Sequence, residues 1–192
     1  GPLFLADTTV NFNPTAEELA EITLLVAKEV KLFNIKPRIA MLSYSNFGSS
    51  DSPEANLVRR AREIVKEKSP TLICDGDVQG ILAFNKEILK ENYPFTELLD
   101  GDVNVLIFPN LAAGNIAYNL LQEVAGTDSI GPILLGLNKP VHVLQLGSSI
   151  RSIFNMVLIA VVDAQTKCKT NTKEVIRKSN WWKRKKINSE EM

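Results

Sequence analysis

The chain has 192 residues, 45% of them hydrophobic and 23% charged, enough for one well-buried domain of ordinary globular composition. No apolar run approaches the roughly 20 residues of a membrane span and no signal-peptide pattern opens the chain, so neither membrane insertion nor export is expected. Basic and acidic side chains balance at 22 each. The balance hides a basic end, since residues 166–192 hold 9 of the basic and 3 of the acidic groups.

In chain order, "LFLAD" (3–7) is a short strand, and a chain opening on a strand reads as a piece of something longer. Thr15 followed by Glu18 is a capping box, which starts a helix with apolar residues at helical spacing. "RIAMLS" (38–43) is a near-continuous apolar run, as in a strand covered on both faces. Ser52 then Pro53 cap and start the next helix. "TLIC" (71–74) predicts a third strand, and "VQGILAFNKEILKE" a helix with Gly80 as its weak point. "NVLIFP" (104–109) and "AAGNIAYNLLQEVA" (112–125) repeat the strand-then-helix unit. "GPILLG" (131–136) and "PVHVLQ" (140–145) predict two further strands, and residues 149–165 an apolar helix expected to be largely buried. Strands alternating with helices imply an α/β fold, a mostly parallel sheet with helices on both faces in three layers.

Two distant cysteines, Cys74 and Cys168, without metal-ligand neighbours fit a reducing cytoplasm and suggest no metal site. The single histidine, His142, lies between Val141 and Val143 and reads as a strand residue rather than a catalyst. The tail around Trp181 and Trp182 is short, terminal and followed by acids. It reads as solvated or docked on a partner, not as a nucleic-acid site.

Ligands of such sheets bind beyond the carboxyl ends of the strands, so four loops carry the functional information. "SNFGSSDSP" feeds a helix N-terminus, a geometry hospitable to phosphate, yet it holds no Lys or Arg and adds Asp51. "DGD" (75–77) offers carboxylates for acid–base work or for a turn and cap; the turn is the favoured reading. "PNLAAGN" and "LGLNKP" supply Asn110, Gly114, Asn115, Asn138 and Lys139, the last the one cation of the four loops.

Taken in order, "ADTTVNFNPTAEELAEI", "PRIAMLSYSNFGSS", "DGDVQ", "NVLIFPNLAAGNIAY" and "IGPILLGLNKPVHVL" resemble the phosphate acetyl/butyryltransferase family from about Leu3 to Gln165. Those enzymes move an acetyl group between coenzyme A and phosphate. The match corresponds to the second half of a family member. It implies a phosphotransacetylase-like α/β domain over 1–138, a final strand and helix over 139–165 packing toward the absent half, and a basic tail over 166–192. The family also occurs as the carboxyl-terminal part of large bacterial malic enzymes, where it is regarded as regulatory and responsive to acetyl-CoA.

Active members carry Ser-Arg-Gly before the last helix and an Asp shortly after. The matching positions here read Gln145, Leu146 and Gly147, with Ser152 in place of the Asp, and Asn46 and Phe47 stand where Thr and Lys are common. Replacing the Arg removes the cation that holds phosphate, and replacing the Asp removes the base. The resemblance therefore implies a non-catalytic, regulatory domain of an NADP-dependent malic enzyme. Acetyl-CoA is the expected effector at Gly48, Ser49, Ser50, Asn110, Gly114, Asn115, Asn138 and Lys139. No catalytic residue, metal or cofactor is expected in this chain; NADP and a divalent metal belong to the absent part. A homodimer or larger homo-oligomer is expected, with no nucleic-acid or membrane partner. A working phosphate acetyltransferase and a ligand-free assembly module are the alternatives.

Overall fold

The computed structural model describes residues 1–126, 129–144 and 147–166. It divides into two compact units, Gly1–Asp128 and the chain from Ser129 onward. The first unit carries a four-stranded sheet, β1 (Phe4–Ala6), β2 (Arg38–Leu42), β3 (Ile73–Val78) and β4 (Val105–Ile107). All pairings are parallel, and the strand order is β1-β4-β2-β3.

Helix α1 (Ala16–Leu32) forms where the sequence predicts it. Thr15 Oγ1 accepts the Glu18 N–H while Glu18 Oε2 accepts the Thr15 N–H at 2.8 Å, so two N–H groups that the helix leaves free are satisfied reciprocally. Its buried residues, Leu19, Ala20, Thr23, Val26, Ala27 and Val30, recur with the helical period. Helix α2 (Pro53–Lys68) starts at the Ser52 cap with Pro53 in its first turn. It packs on α1, β2 and β3, so these two helices cover one face of the sheet.

The other face is sealed by Leu82, Leu89, Leu98 and Phe108 against Ala40, Leu42, Val78 and Leu106. Each such fully buried large aliphatic side chain contributes about 1.5–3 kcal/mol. Here the structure corrects the sequence reading, because the single helix expected after β3 is two short ones, α3 (Gly80–Ala83) and α4 (Lys86–Asn92). Asn85 separates them: its side chain accepts the Ile88 N–H and caps α4, a local bond that competes with a continuous helix. A short 3-10 turn (Glu97–Leu99) then leads to β4, and α5 (Leu111–Ala125) follows, ending at Gly126 in the left-handed conformation.

In the second unit, helix α6 spans residues 150–166. Two expectations fail there. Residues 131–136 and 140–144 form no strand, because a strand exists only by its ladder and these apolar runs pair with none among the described residues. Nor is α6 largely buried. Met156 is buried, but Ile150, Phe154 and Val157 are more than half exposed, since a helix apolar all round can lay only one stripe on one neighbour. No helix of the described residues is long and apolar enough to cross a membrane. The basic tail with Trp181, Trp182 and Cys168 lies outside the described residues.

Candidate functional site

The strand order itself locates the site. From β2 the chain moves by α2 to β3 on one side, then returns to place β4 on the other side of β2. Thus α2 packs toward β3 while α5 packs toward β1, and the loops after the adjacent strands β2 and β4 diverge. Such a switch point opens a crevice at the carboxyl ends of the strands. Gly48, Ser49 and Ser50 lie on the loop after β2, and Asn110, Gly114 and Asn115 at the start of α5 after β4, so topology brings these two sets to one end of the sheet.

The loop after β2 is held from within. Ser45 N–H donates to Ser43 Oγ, Asn46 N–H to Ser49 Oγ and Ser50 N–H to Ser45 Oγ. Ser49 N–H donates to the Asn46 carbonyl, Phe47 N–H to the Asp77 carbonyl at 2.6 Å, and Gly48 N–H to Asp77 Oδ1 at 3.1 Å. Every N–H from Ser45 to Ser50 is therefore already donating. Phe47 sits at φ +47, uncommon for a side chain with a Cβ, and its ring packs between Tyr93 and Phe95 at 4.8 and 5.4 Å.

The segment "DGD" is the main correction to the sequence reading. It is no turn: Asp75, Gly76 and Asp77 lie within β3, fully buried, and the strand runs four residues beyond the expected "TLIC". Two residues of β3, Gly76 and Asp77, oppose the single Met41 of β2, a bulge that re-aims the side chains. Gly76, at φ +144, is required there, because a Cβ would collide with the Met41 carbonyl oxygen.

Both carboxylates meet arginines of α2. Asp77, with no exposed surface, pairs with Arg59 Nη1 at 3.2 Å, and Arg59 Nη2 also donates to the Ser50 carbonyl at 2.8 Å. Asp75 lies 3.2 Å from Arg62 Nε, an ion pair whose alignment falls short of a hydrogen bond. Asp75 also accepts Thr96 Oγ1–H at 2.7 Å and the Glu97 N–H at 3.1 Å. Lys66 extends this network to Glu97 at 2.6 Å. Isolated buried carboxylates are costly, and these are compensated by charge and hydrogen bonds, so neither is left over as a general base.

The β1 and β4 ends are also internally tied. Asp7 accepts the N–H groups of Thr9, Val10 and Asn11 at 2.7–3.0 Å, and the Asn11 side chain. Partial burial pushes the Asp7 carboxyl upward, but these hydrogen bonds outweigh it, and the group sits below its ordinary value of 3.8. A carboxyl depressed on folding stabilises above its unfolded value and loses that contribution as pH falls through the folded one. Accordingly, wild-type stability is expected to fall as pH drops below about 4, by more than that of Asp7→Asn. Urea midpoints at a series of pH values read this, and parallel curves for the two proteins would contradict it.

Asn110 caps α5 by accepting the Ala113 N–H at 2.9 Å. Gly114 is packed so closely on the Asp7 carbonyl that a Cβ has no room. Asn115 donates to the Thr8 carbonyl at 3.2 Å. Asn138 and Lys139 belong to the second unit. Gln145 and Leu146 lie outside the described residues, and Ser152 lies in the first turn of α6, its Oγ 2.9 Å from Ser149 Oγ. His142 lies outside any strand. Burial pushes the Cys74 thiol up to about 12, which makes it a core group and not a nucleophile. Among the described residues no group of three or more His, Cys, Asp and Glu is placed to hold a metal ion.

The sequence profile described as "Phosphate acetyl/butaryl transferase" matches residues 1–161. The chain is 50% identical over 165 residues to the NADP-dependent malic enzyme of Haemophilus influenzae, covering 86% of this chain and 22% of that protein. It is 42% identical over 159 residues to the phosphate acetyltransferase of Bacillus subtilis, covering 83% of this chain and 49% of that one. Its fold is similar to that of a phosphotransacetylase from Streptococcus pyogenes, with a TM-score of 0.79 and 42% identity over 84% of this chain and 49% of the other. The chain thus spans about a fifth of the malic enzyme and about half of the phosphate acetyltransferase. With the profile running through both units and the parallel sheet shared with solved relatives, the chain belongs to the phosphate acetyl/butaryl transferase family.

Proposed function

We propose that the chain is a non-catalytic, regulatory phosphotransacetylase-like domain of an NADP-dependent malic enzyme and that it binds acetyl-CoA at the switch-point crevice. The observation that carries this reading is the state of the crevice polar groups. Asp7, Asp75 and Asp77 are each consumed by internal bonds, and so are the N–H groups from Ser45 to Ser50. A crevice so arranged has shape but little free charge for chemistry. Similarity to the Haemophilus influenzae malic enzyme over 86% of the chain supports the setting. NADP and a divalent metal would belong to other parts of such a protein.

In this reading acetyl-CoA is held by the surface of Gly48, Ser49 and Ser50 and by the start of α5 at Asn110, Gly114 and Asn115. Binding is weak and suited to following metabolite level. At ten times its Kd, acetyl-CoA stabilises by about 1.4 kcal/mol. For a chain of this size that raises Tm by roughly 3–5 °C. A thermal melt with acetyl-CoA, CoA and acetyl phosphate tests this; no rise with millimolar acetyl-CoA would leave the ligand-free assembly module as the better reading.

Self-association is part of the proposal. The outer side of α5 exposes Ile116, Leu120, Leu121 and Val124, and α6 exposes Ile150, Phe154 and Val157. Apolar surface of this kind marks an interface. Light scattering is expected to give at least a dimer at micromolar concentration. A monomer throughout that range would remove oligomerisation from the proposal.

A further inference from the structure

The loop after β2 has the sequence of an anion-binding loop and leads into a helix N-terminus, yet its interior already contains an anion. Asp77 Oδ1 accepts the Gly48 N–H at 3.1 Å, and Asp77 Oδ2 lies 3.2 Å from Arg59 Nη1. These two donors, a glycine N–H of the loop and a guanidinium, are the pair that recognises a phosphate oxygen elsewhere in proteins. The bulge at Gly76 and Asp77 is what turns this carboxylate toward the loop. The other N–H groups from Ser45 to Ser50 donate to Ser43, Ser45, Ser49, Asn46 and the Asp77 carbonyl, so this stretch of the loop is satisfied from within. Arg59 stays partly accessible, with about a quarter of its side chain exposed, while Asp77 has no exposed surface.

We propose that Asp77 is a specificity-determining residue of this loop: its carboxylate occupies, from inside the fold, the position between Gly48 N–H and Arg59 that a bound anion requires, and so closes the loop to inorganic phosphate. A phosphate brought to Arg59 from solvent meets a buried negative charge within a few ångströms and finds every N–H from Ser45 to Ser50 already donating. The sequence motif therefore survives as shape with its anion supplied internally. This goes beyond the acetyl-CoA reading and does not depend on it, because its test uses simple anions.

The experiment compares the full wild-type chain, Asp77→Ala, the double variant Arg59→Ala/Asp77→Ala, and Asp100→Ala, which removes a carboxylate from an exposed ion pair with Lys36 as the control. Melting and calorimetry are run in formate, inorganic phosphate or chloride at matched ionic strength. Wild type and Asp100→Ala are expected to respond to formate and phosphate no more than to chloride. Asp77→Ala is expected to be restabilised by formate, which is the size of the missing carboxylate, and to bind phosphate at least tenfold more tightly than wild type. The double variant is expected to lose that gain. Wild type binding phosphate as tightly as Asp77→Ala would overturn the proposal. So would a folded Asp77→Ala indifferent to both anions, or a gain that persists without Arg59. Should Asp77→Ala fail to fold in either salt, Asp77→Ser decides, since its shorter side chain vacates the position between Gly48 and Arg59 and drops the charge. A phosphate affinity at least tenfold above wild type is expected of it, and equal affinity overturns the proposal.

Discussion

Mixed with acetyl-CoA and inorganic phosphate, the chain is expected to release no CoA thiol above background. Family resemblance places a Ser-Arg-Gly segment and a later Asp at the reacting groups of active members, whereas this chain has Gln145, Leu146 and Gly147, with Ser152 at the Asp position. Leu146 brings no charge to hold phosphate. Ser152 is a neutral hydroxyl 2.9 Å from Ser149 Oγ and is no base at neutral pH. The buried carboxylates of β3 are already committed, Asp75 to Arg62 and Asp77 to Arg59. Losing one group that stabilises transition-state charge costs on the order of a hundred- to a thousandfold in rate. With both the cation and the base replaced, turnover is expected to fall below detection. A coupled thiol assay that gives steady turnover proportional to protein would sink this expectation.

Asp75→Ala is expected to lose about 2–4 kcal/mol, because it leaves the buried Thr96 hydroxyl and the Glu97 N–H without their acceptor, while Arg62, a third exposed, can turn to solvent. Thr96 Oγ1 and the Glu97 N–H lose their acceptor at once, and Arg62 loses its ion-pair partner. Because Lys66 joins Glu97 to the Leu72 carbonyl, the damage spreads from β3 to the end of α2. For a chain of this size the melting temperature should fall on the order of 10 °C. Asp75→Asn, which keeps an acceptor for Thr96, is expected to lose less. Urea denaturation checks both, and a loss under about 1 kcal/mol for Asp75→Ala would show that the network contributes little.

The elements that local chemistry dictates were legible in the sequence. Thr15 with Glu18, and Ser52 before Pro53, are caps whose bonded N–H groups lie three residues away. The strand "RIAMLS" was legible because burial on both faces leaves a continuous apolar run. What the sequence hid depends on partners far along the chain. Asp75 and Asp77 look like turn residues locally, and only Arg59, Arg62 and Thr96, 13 to 21 residues distant, make a buried strand tolerable for them. The available signal was two arginines three apart on α2, Arg59 and Arg62, on the side of the helix that meets the following strand. Residues 131–136 and 140–144 show the reverse error, since apolar runs suggest strands but a ladder needs an edge to join. That the loops after β2 and β4 lie at the carboxyl ends of their strands was legible. The internal use of their donors was not, because hydrogen-bond direction is a property of the folded loop.

Acetyl-CoA binding without conversion is the central claim, and a calorimetric titration of acetyl-CoA into this chain tests it most directly, with phosphate present and CoA release followed in the same sample. The account predicts saturable heat that is repeated with CoA-free acetyl-CoA, and a flat thiol signal over hours. Sustained thiol release would make the chain a working transferase, and the absence of heat at millimolar acetyl-CoA would leave it without the ligand on which the regulatory reading stands.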